Sequence, residues 1–312
     1  MSRTGMTLIV VFASYAVLNA ALTFVVSAGW VAGLTRRVQS QTALLGLRLV
    51  PSAGAAILTL TIALPAFLRF EPHRGPETPG TLIVLLAATS VALVLLGVIR
   101  GVRAIASTRA MAVRWKALRR QQSPGGLAMD VVDVPSPVVA VSGVWRPRLL
   151  IGRDVAAQCT AEELALIIAH EEAHVRARDN FKHFLMLVSP DLLASLPIGR
   201  ALEERWRAAT EHAADEYATK GGAEHRVRLA TALVKMARLA LTTPPQPGVA
   251  STLIGADGIE GRIRRLLDRP PVLPSMSYLW IAPALLLGCA AVAIGEHQGI
   301  HAAIEHVVGV GR

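Results

Sequence analysis

Long apolar stretches separated by short charged segments dominate the pattern of hydrophobic and polar positions along this chain. Four of these stretches reach the roughly 20 residues that a helix needs to cross the hydrocarbon core of a bilayer. They are residues 7–34, 49–68, 81–99 and 278–295, and none contains Lys, Arg, Asp or Glu. They also lack the polar stripe of a soluble amphipathic helix. The pattern predicts an integral membrane protein, mainly α-helical, with four transmembrane helices.

The first stretch is too long for the apolar region of a signal peptide, which spans about 7–15 residues, so we interpret it as a retained anchor. Residues 1–100 are therefore predicted to hold three transmembrane helices, and residues 276–295 a fourth. Residues 101–275 between them form the only segment long enough for an aqueous domain. Residues 296–312 would be a short tail.

Positive charges in the flanks predict the orientation, because Lys and Arg resist translocation. Residues 35–48 contain Arg36, Arg37 and Arg48 without an acid. The region after the third stretch is also free of acids and carries seven positive charges: Arg100, Arg103, Arg109, Arg114, Lys116, Arg119 and Arg120. Both segments are expected in the cytoplasm, with the N-terminus, the loop at 69–80 and the C-terminal tail outside.

Composition supports a membrane partner rather than a nucleic acid. The chain is 53% hydrophobic with a mean hydropathy of +0.46, which excludes a disordered or fibrous protein. Its net charge of +10 would suit nucleic acid or anionic lipid. The charge run begins at the membrane boundary and contains Trp115 as its single aromatic, so we expect contact with the lipid bilayer and no direct contact with nucleic acid. Cys159 and Cys289 form no ligand pair.

The segment 101–275 reads as an α+β domain. A basic helix is predicted for residues 103–120, ending at the Ser-Pro-Gly-Gly turn of 123–126. Short valine-rich strands follow at 131–134, 138–141 and 149–151. Thr160 with Glu163 three residues later forms a capping box, which predicts the start of a helix.

That helix carries the sequence His170-Glu171-Glu172-Ala173-His174, an HExxH motif. Positions i and i+4 share one face of a helix, so both imidazoles can reach one Zn²⁺ at about 2.0–2.1 Å. Glu171 projects alongside and can act as the general base that takes a proton from the attacking water. The motif predicts a zinc hydrolase.

A catalytic zinc site needs a third protein ligand. The downstream candidates are Asp179, Asp191, Glu203, Glu204, Glu211 and Asp215. Glu211 and Asp215 are favoured, because their i, i+4 spacing allows one carboxylate to bind the metal and the other to orient a ligand imidazole. His212 is a less favoured ligand, and Glu203 and Glu204 fit a solvated face.

These motifs resemble those of the membrane metallopeptidases of the BlaR/MecR β-lactam-sensor type. The resemblance rests on Arg146-Pro147, on the helix start at 160–164, and on the string from His170 to Asn180. The later Glu-xxx-Asp at 211–215 is similar to the third-ligand motif of that family and of the related gluzincins, the HtpX-type and CAAX prenyl proteases.

The resemblance implies a gluzincin-like zinc protease domain between the third and fourth transmembrane helices. His170, His174 and Glu211 would be the metal ligands, Glu171 the general base, and Asp215 a carboxylate that orients a ligand. Asp179 would be either another such carboxylate or a helix cap.

The resemblance also implies a function at the bacterial cell membrane. The chain would be a signalling endopeptidase that cleaves a winged-helix repressor of the BlaI/MecI type, itself, or both. An HtpX-like quality-control protease and a non-catalytic zinc-containing receptor or scaffold are the alternatives. Substrate, inducer and homo-oligomer formation are left open.

One departure from the family lies at the C-terminus. Only 17 residues follow Gly295, and no SxxK motif is present, so we expect no penicillin-binding sensor domain in this chain. His297 and His301 could bind a metal, although a polar tail is the simpler interpretation.

Three further segments of the domain have a recognisable pattern. The apolar run at 181–198 is interrupted by Lys182, Pro190, Asp191 and Pro197. A full span there would place His170 and Glu211 on opposite sides of the bilayer, so a hairpin or membrane-lying segment is expected. Residues 227–241 predict an amphipathic helix, and residues 261–267 a basic helix leading to the last span.

Overall fold

The computed structural model describes residues 2–35, 38–70, 78–115, 117–134, 138–242 and 256–268. The predicted fourth transmembrane helix, the tail and the pair His297 and His301 lie outside the described residues. The chain divides into two compact units. The first contains Met1–Gly101 and Met186–Trp206, and the second contains Val102–Leu185 and Arg207–Pro274.

The described part is mostly helical with one small sheet. The helices are α1 (Arg3–Val31), α2 (Gln41–Leu58), α3 (Leu64–Phe70), α4 (Thr81–Arg114), α5 (Arg153–Gln158), α6 (Ala161–Ala177), α7 (Asp179–Val188), α8 (Pro197–Thr219), α9 (Ala223–Thr242) and α10 (Ala256–Leu267). A π-helical turn, Thr59–Ala63, joins α2 to α3, and a 3₁₀ turn, Leu193–Ser195, precedes α8. The strands are β1 (Ala117–Gln122), β2 (Ala128–Val132), β3 (Val139–Ser142) and β4 (Arg148–Gly152).

Three helical segments of the first unit are long and apolar enough to cross a membrane: Arg3–Val31, Gln41–Arg69 and Thr81–Ala110. They coincide with the first three predicted spans. The second begins eight residues earlier than predicted, because Ser40 accepts a hydrogen bond from the Ala43 N–H and caps α2. Arg48, predicted as a loop charge, therefore lies inside the helix.

The chain between α7 and α8 is irregular, and side chains of α1 satisfy its backbone. The carbonyl of Pro190 accepts hydrogen bonds from the Tyr15 hydroxyl at 2.7 Å and the Asn19 amide at 3.3 Å. The Asn19 oxygen accepts from the Leu192 N–H at 3.2 Å. A broken helix among apolar helices needs such partners, because unpaired backbone groups are costly there. As predicted, residues 181–198 therefore do not form one continuous spanning helix.

A buried ion pair ties the same irregular segment to α2. Arg48 Nη1 lies 2.9 Å from Asp191 Oδ2, and both side chains are at most 2% exposed. Arg48 also donates to the Met186 carbonyl, and Asp191 accepts from the Ala194 N–H. The predictions of Arg48 as a charge of the loop at 35–48 and of Asp191 as a metal-ligand candidate are wrong, because the two side chains pair with each other.

The second unit is built on a four-stranded sheet in the order β1-β2-β4-β3. The β1–β2 and β3–β4 pairs are antiparallel, and β2 and β4 run parallel. Side chains from the sheet, α6, α9 and α10 share one core, which includes Leu149, Ile167, Leu233 and Leu266. This core fixes the orientation of α6, the helix that bears the HExxH motif.

Most predicted elements of this unit are present, with one error. The capping box of Thr160 and Glu163 begins α6, as predicted. The basic helix, however, ends at Arg114, and residues 117–122 form strand β1 instead of its last turn. Pairing with β2 explains the difference, since Arg120 lies opposite Asp130 in the hairpin and its guanidinium contacts that carboxylate.

We predict that Gly97→Ala destabilises the first unit. A Cβ at Gly97 of α4 would lie 2.3 Å from the backbone carbonyl oxygen of Val188, so the backbone must shift. Overpacking of this kind costs about 1–3 kcal/mol. Gly46→Ala on α2 is the control, because a Cβ there meets nothing within 4 Å. Thermal unfolding in detergent should show a lower Tm for Gly97→Ala alone; equal Tm values for both variants would contradict the packing.

We also predict that Arg48→Met lowers stability by about 3–5 kcal/mol, because it leaves the Asp191 carboxylate buried and unpaired. Adding Asp191→Asn should restore much of the loss, since no buried charge then remains. Arg148→Met is the control, because Arg148 is 52% exposed in its pair with Asp130 and should matter by less than about 1 kcal/mol. Denaturant unfolding measures all of these variants, and similar losses for Arg48→Met and Arg148→Met would refute the assignment.

Candidate metal centre

Helix α6 presents His170 and His174 from a fixed position. Ile167 and Ile168 are buried in the core one turn before the motif, and His170 and Glu171 are 1% and 2% exposed. The helix ends at Arg178, which adopts the left-handed conformation with φ 56°. This sharp end allows α7 to begin directly after the motif.

Three donor groups converge on one point. The Nε2 atoms of His170 and His174 are 3.2 Å apart. Glu211 places Oε2 3.4 Å from the Nε2 of His170 and Oε1 3.5 Å from the Nε2 of His174. Ligands bound to zinc at about 2.0–2.1 Å in a tetrahedron are separated by about 3.3–3.4 Å, so the spacing of this His-His-Glu group suits that metal.

Each imidazole is held from its other side by a carboxylate. His170 Nδ1 lies 2.9 Å from Asp215 Oδ1, and His174 Nδ1 lies 2.9 Å from Asp179 Oδ2. A carboxylate accepts, so each Nδ1 carries the proton and the Nε2 lone pairs point at each other. Two lone pairs at this distance repel unless a proton or a metal ion lies between them.

Glu211 also fits a metal ligand. In the described part of the chain, its Oε2 is buried, with Arg262 Nη1 at 2.8 Å as a charged partner. A carboxylate has about four lone-pair sites, so Glu211 can contact Arg262 and still bind a metal ion. Two imidazoles, one carboxylate and a carboxylate behind each imidazole together match the donor set of a zinc site with three protein ligands.

Burial and neighbouring charges shift the pKa values of several groups in this site. Burial alone would lower the pKa of His170, but its hydrogen bonds to Asp215 and Glu211 outweigh burial and raise the pKa to about 9. Burial opposes ionisation of Asp215, but hydrogen bonds from His170 and Arg262 lower its pKa to about 2. Burial raises the pKa of Glu171. A metal ion would replace the proton that His170 otherwise binds.

The predicted candidates differ in their relation to this group. Within the described ranges, the residues grouped as a metal site are His170, His174 and Glu211. His212, Glu203 and Glu204 are not among them. Burial and the nearby Arg265 lower the pKa of His212 to about 4.

Arg262 is absent from the predicted site residues. The pattern at 261–267 predicts only a basic helix leading to the last span, whereas the Arg262 side chain is 4% exposed and contacts both Glu211 and Asp215. A signal was present in the sequence. Arg262 lies three residues after Ile259 and four before Leu266, so it occupies the apolar face of an amphipathic helix.

Glu172, the second acid of the motif, has a structural contact. Its carboxylate accepts hydrogen bonds from the Ser123 hydroxyl and from the Gly125 N–H at 2.9 Å. A Cβ at Gly125 would lie 2.5 Å from the Glu172 carboxylate oxygens, so glycine allows this close approach. Glu172 therefore joins the β1–β2 turn to α6 through these contacts.

We predict that Asp179→Ala weakens zinc binding by about 10–100-fold, because the Nδ1–H of His174 loses its acceptor and the ring its orientation. Asp133→Ala, at an exposed residue paired with Arg153, is the control and should bind zinc like the parent chain. Competition with a chromophoric chelator measures both affinities. An unchanged zinc affinity in Asp179→Ala would contradict this role and leave Asp179 only a structural role at the start of α7.

Comparison with known proteins places the chain in a family. No curated protein matches the chain. The family model described as BlaR1 peptidase M56 matches residues 72–266, which include α6, Glu211, Asp215 and Arg262. That match covers well over half of the chain and confirms the resemblance seen in its motifs. The chain therefore belongs to the BlaR1 peptidase M56 family.

Proposed function

We propose that this chain is a zinc-dependent endopeptidase of the bacterial cell membrane, with its active site facing the cytoplasm. Its proposed substrate is a winged-helix repressor of the BlaI/MecI type, the chain itself, or both. The observation that carries the proposal is the convergence of His170, His174 and Glu211 within 4.8 Å, beside the buried Glu171. Family membership supports the peptidase activity, and three long apolar helices support a location in the membrane.

His170, His174 and Glu211 would hold the metal ion. When bound, zinc would supply a Lewis acid that polarises the scissile carbonyl and lowers the pKa of a water molecule. Structural zinc sites usually have four protein ligands, often cysteines. Among the described residues, three donor groups come together here, and this number favours a catalytic zinc site over a structural one.

Glu171 would be the general base. Its carboxylate is buried and interacts electrostatically with His170, His174 and Glu211. Burial raises its pKa, which makes the carboxylate a stronger base than an exposed glutamate. It can take the proton from the attacking water and deliver it to the leaving amide nitrogen.

Asp215 and Asp179 would orient the metal ligands. The low pKa of Asp215 keeps it ionised at neutral pH, so it accepts from His170 Nδ1–H throughout the reaction. Asp179 does the same for His174 at 2.9 Å, and Lys182 contacts its second oxygen at 3.2 Å. Both imidazoles are thereby held with Nε2 toward the metal.

Charge distribution supports the cytoplasmic orientation. Arg48 lies inside α2, paired with Asp191, and is therefore not a flanking charge. The positive run that begins at Arg100 remains the main argument, because it has no acid before Gly125. A cytoplasmic site would have access to a DNA-bound repressor without the chain itself contacting DNA.

The test compares the purified chain in nanodiscs with its Glu171→Gln variant, measuring zinc content and proteolysis together. Loss of the general base should slow cleavage by about 10²–10⁴-fold while the three ligands still retain zinc. Glu172→Gln is the matched control, because this neighbouring acid contacts Ser123 and Gly125 instead of the site. It should retain most of the activity.

The substrates to test are the chain itself and a co-expressed winged-helix repressor encoded beside it. Cleavage by the parent chain but not by Glu171→Gln supports a signalling protease. Cleavage of misfolded membrane proteins in preference to the repressor would favour quality control. Full zinc content with equal cleavage, or none, in both forms would exclude the peptidase mechanism and favour a scaffold.

A further inference from the structure

Arg262 is a buried charge placed on an otherwise apolar helix face. It lies on α10 between Ile259 and Leu266, which belong to the core shared by the sheet, α6 and α9. Burying a guanidinium is costly unless it is paired and hydrogen-bonded. The side chain therefore needs partners that match its geometry.

Two carboxylates on α8 supply those partners. Arg262 Nε lies 3.0 Å from Asp215 Oδ2, and Nη2 lies 2.6 Å from Asp215 Oδ1. The remaining nitrogen, Nη1, lies 2.8 Å from Glu211 Oε2. Glu211 and Asp215 are one helical turn apart, so a single planar guanidinium contacts both of them along the same face of α8.

We propose that Arg262 is a positioning residue, which fixes the carboxylates of Glu211 and Asp215 relative to His170 so that the site can hold its metal ion. The inference rests on the zinc site of the proposed function and adds α10 to it. Asp215 is held by Arg262 through both oxygens while one of them contacts His170 Nδ1 at 2.9 Å. Arg262 thus reaches His170 through Asp215, and its Nη2 also lies 3.4 Å from His170 Nε2 and 3.5 Å from His170 Nδ1.

Charge alone would predict the opposite effect of losing Arg262. A guanidinium near a divalent cation repels it, so its removal should strengthen metal binding if it acts only as a charge. If Arg262 positions the carboxylates, its removal should weaken metal binding, because Glu211 and Asp215 lose their fixed orientation. The sign of the change in zinc affinity therefore distinguishes the two roles.

Lysine separates geometry from charge. Arg262→Lys keeps the positive charge but has a single ammonium, which cannot contact Asp215 through two parallel hydrogen bonds and reach Glu211 as well. Positioning therefore predicts weakened zinc binding in Arg262→Lys too. Arg264→Met is the matched control from the same helix, because Arg264 is 72% exposed and pairs only with Glu260 among the ion pairs described for α10.

The experiment uses the full chain in nanodiscs, stripped of metal and titrated with Zn²⁺ against a chromophoric chelator. Arg262→Met should bind zinc about 10–100-fold more weakly, the range seen when groups behind metal ligands are removed. Arg262→Lys should also be weaker, and Arg264→Met should stay within about twofold of the parent chain. Visible absorption of the Co²⁺-loaded forms should change in both Arg262 variants, because the coordination geometry changes.

Zinc affinity equal to or above that of the parent chain in a folded Arg262→Met would overturn the inference. Melting temperature and far-UV circular dichroism establish folding, and if Arg262→Met does not fold, Arg262→Lys decides by the same criteria. The readout needs no substrate. A parent chain that binds zinc but cleaves nothing contradicts the proposed function alone, whereas normal zinc binding in both Arg262 variants contradicts this inference alone.

Discussion

Two imidazoles with their Nε2 atoms 3.2 Å apart, one buried and the other 14% exposed, impose the main constraint on this protein. Such a pair is stable only if each Nδ1–H has an acceptor behind it and a proton or cation lies in front. Asp215 and Asp179 are the acceptors, and they come from different helices. The sharp end of α6 at Arg178 places Asp179 within reach of His174. The packing of the second unit therefore brings these two Asp–His pairs together.

The path of the chain from α7 to α8 follows from the same requirement. Glu211 can join the two histidines only if the chain turns back after α7, and the turn at residues 189–192 lies among apolar helices of the first unit. Hydrogen bonds with Asn19 and Tyr15, and the Arg48–Asp191 ion pair, satisfy its polar groups. Polar residues within the apolar helices are thus explained by a break in another helix.

Sequence reasoning could find the groups whose spacing is local. The HExxH motif, the capping box at Thr160, and the pair Glu211 and Asp215 each span no more than about one turn of a single helix. Helical periodicity therefore predicts which side chains within each motif share a face. Arg262 and the Arg48–Asp191 pair could not be found in the same way. Their partners lie 47 and 143 residues away in the chain, and only tertiary packing brings them into contact. The strand at 117–122 was missed because its partner, β2, determines it more than its own sequence does.

If Arg262 positions the metal ligands, the peptidase site is complete only when α10 is in place. Arg262 follows His170 by 92 residues, and closing so long a loop costs chain entropy before any contact compensates for it. A chain that extends only to the end of α9 already contains both histidines, Glu171 and Glu211 but not the guanidinium between the two carboxylates. The family match also reaches residue 266 and includes α10. Helix α10 is then part of the active site.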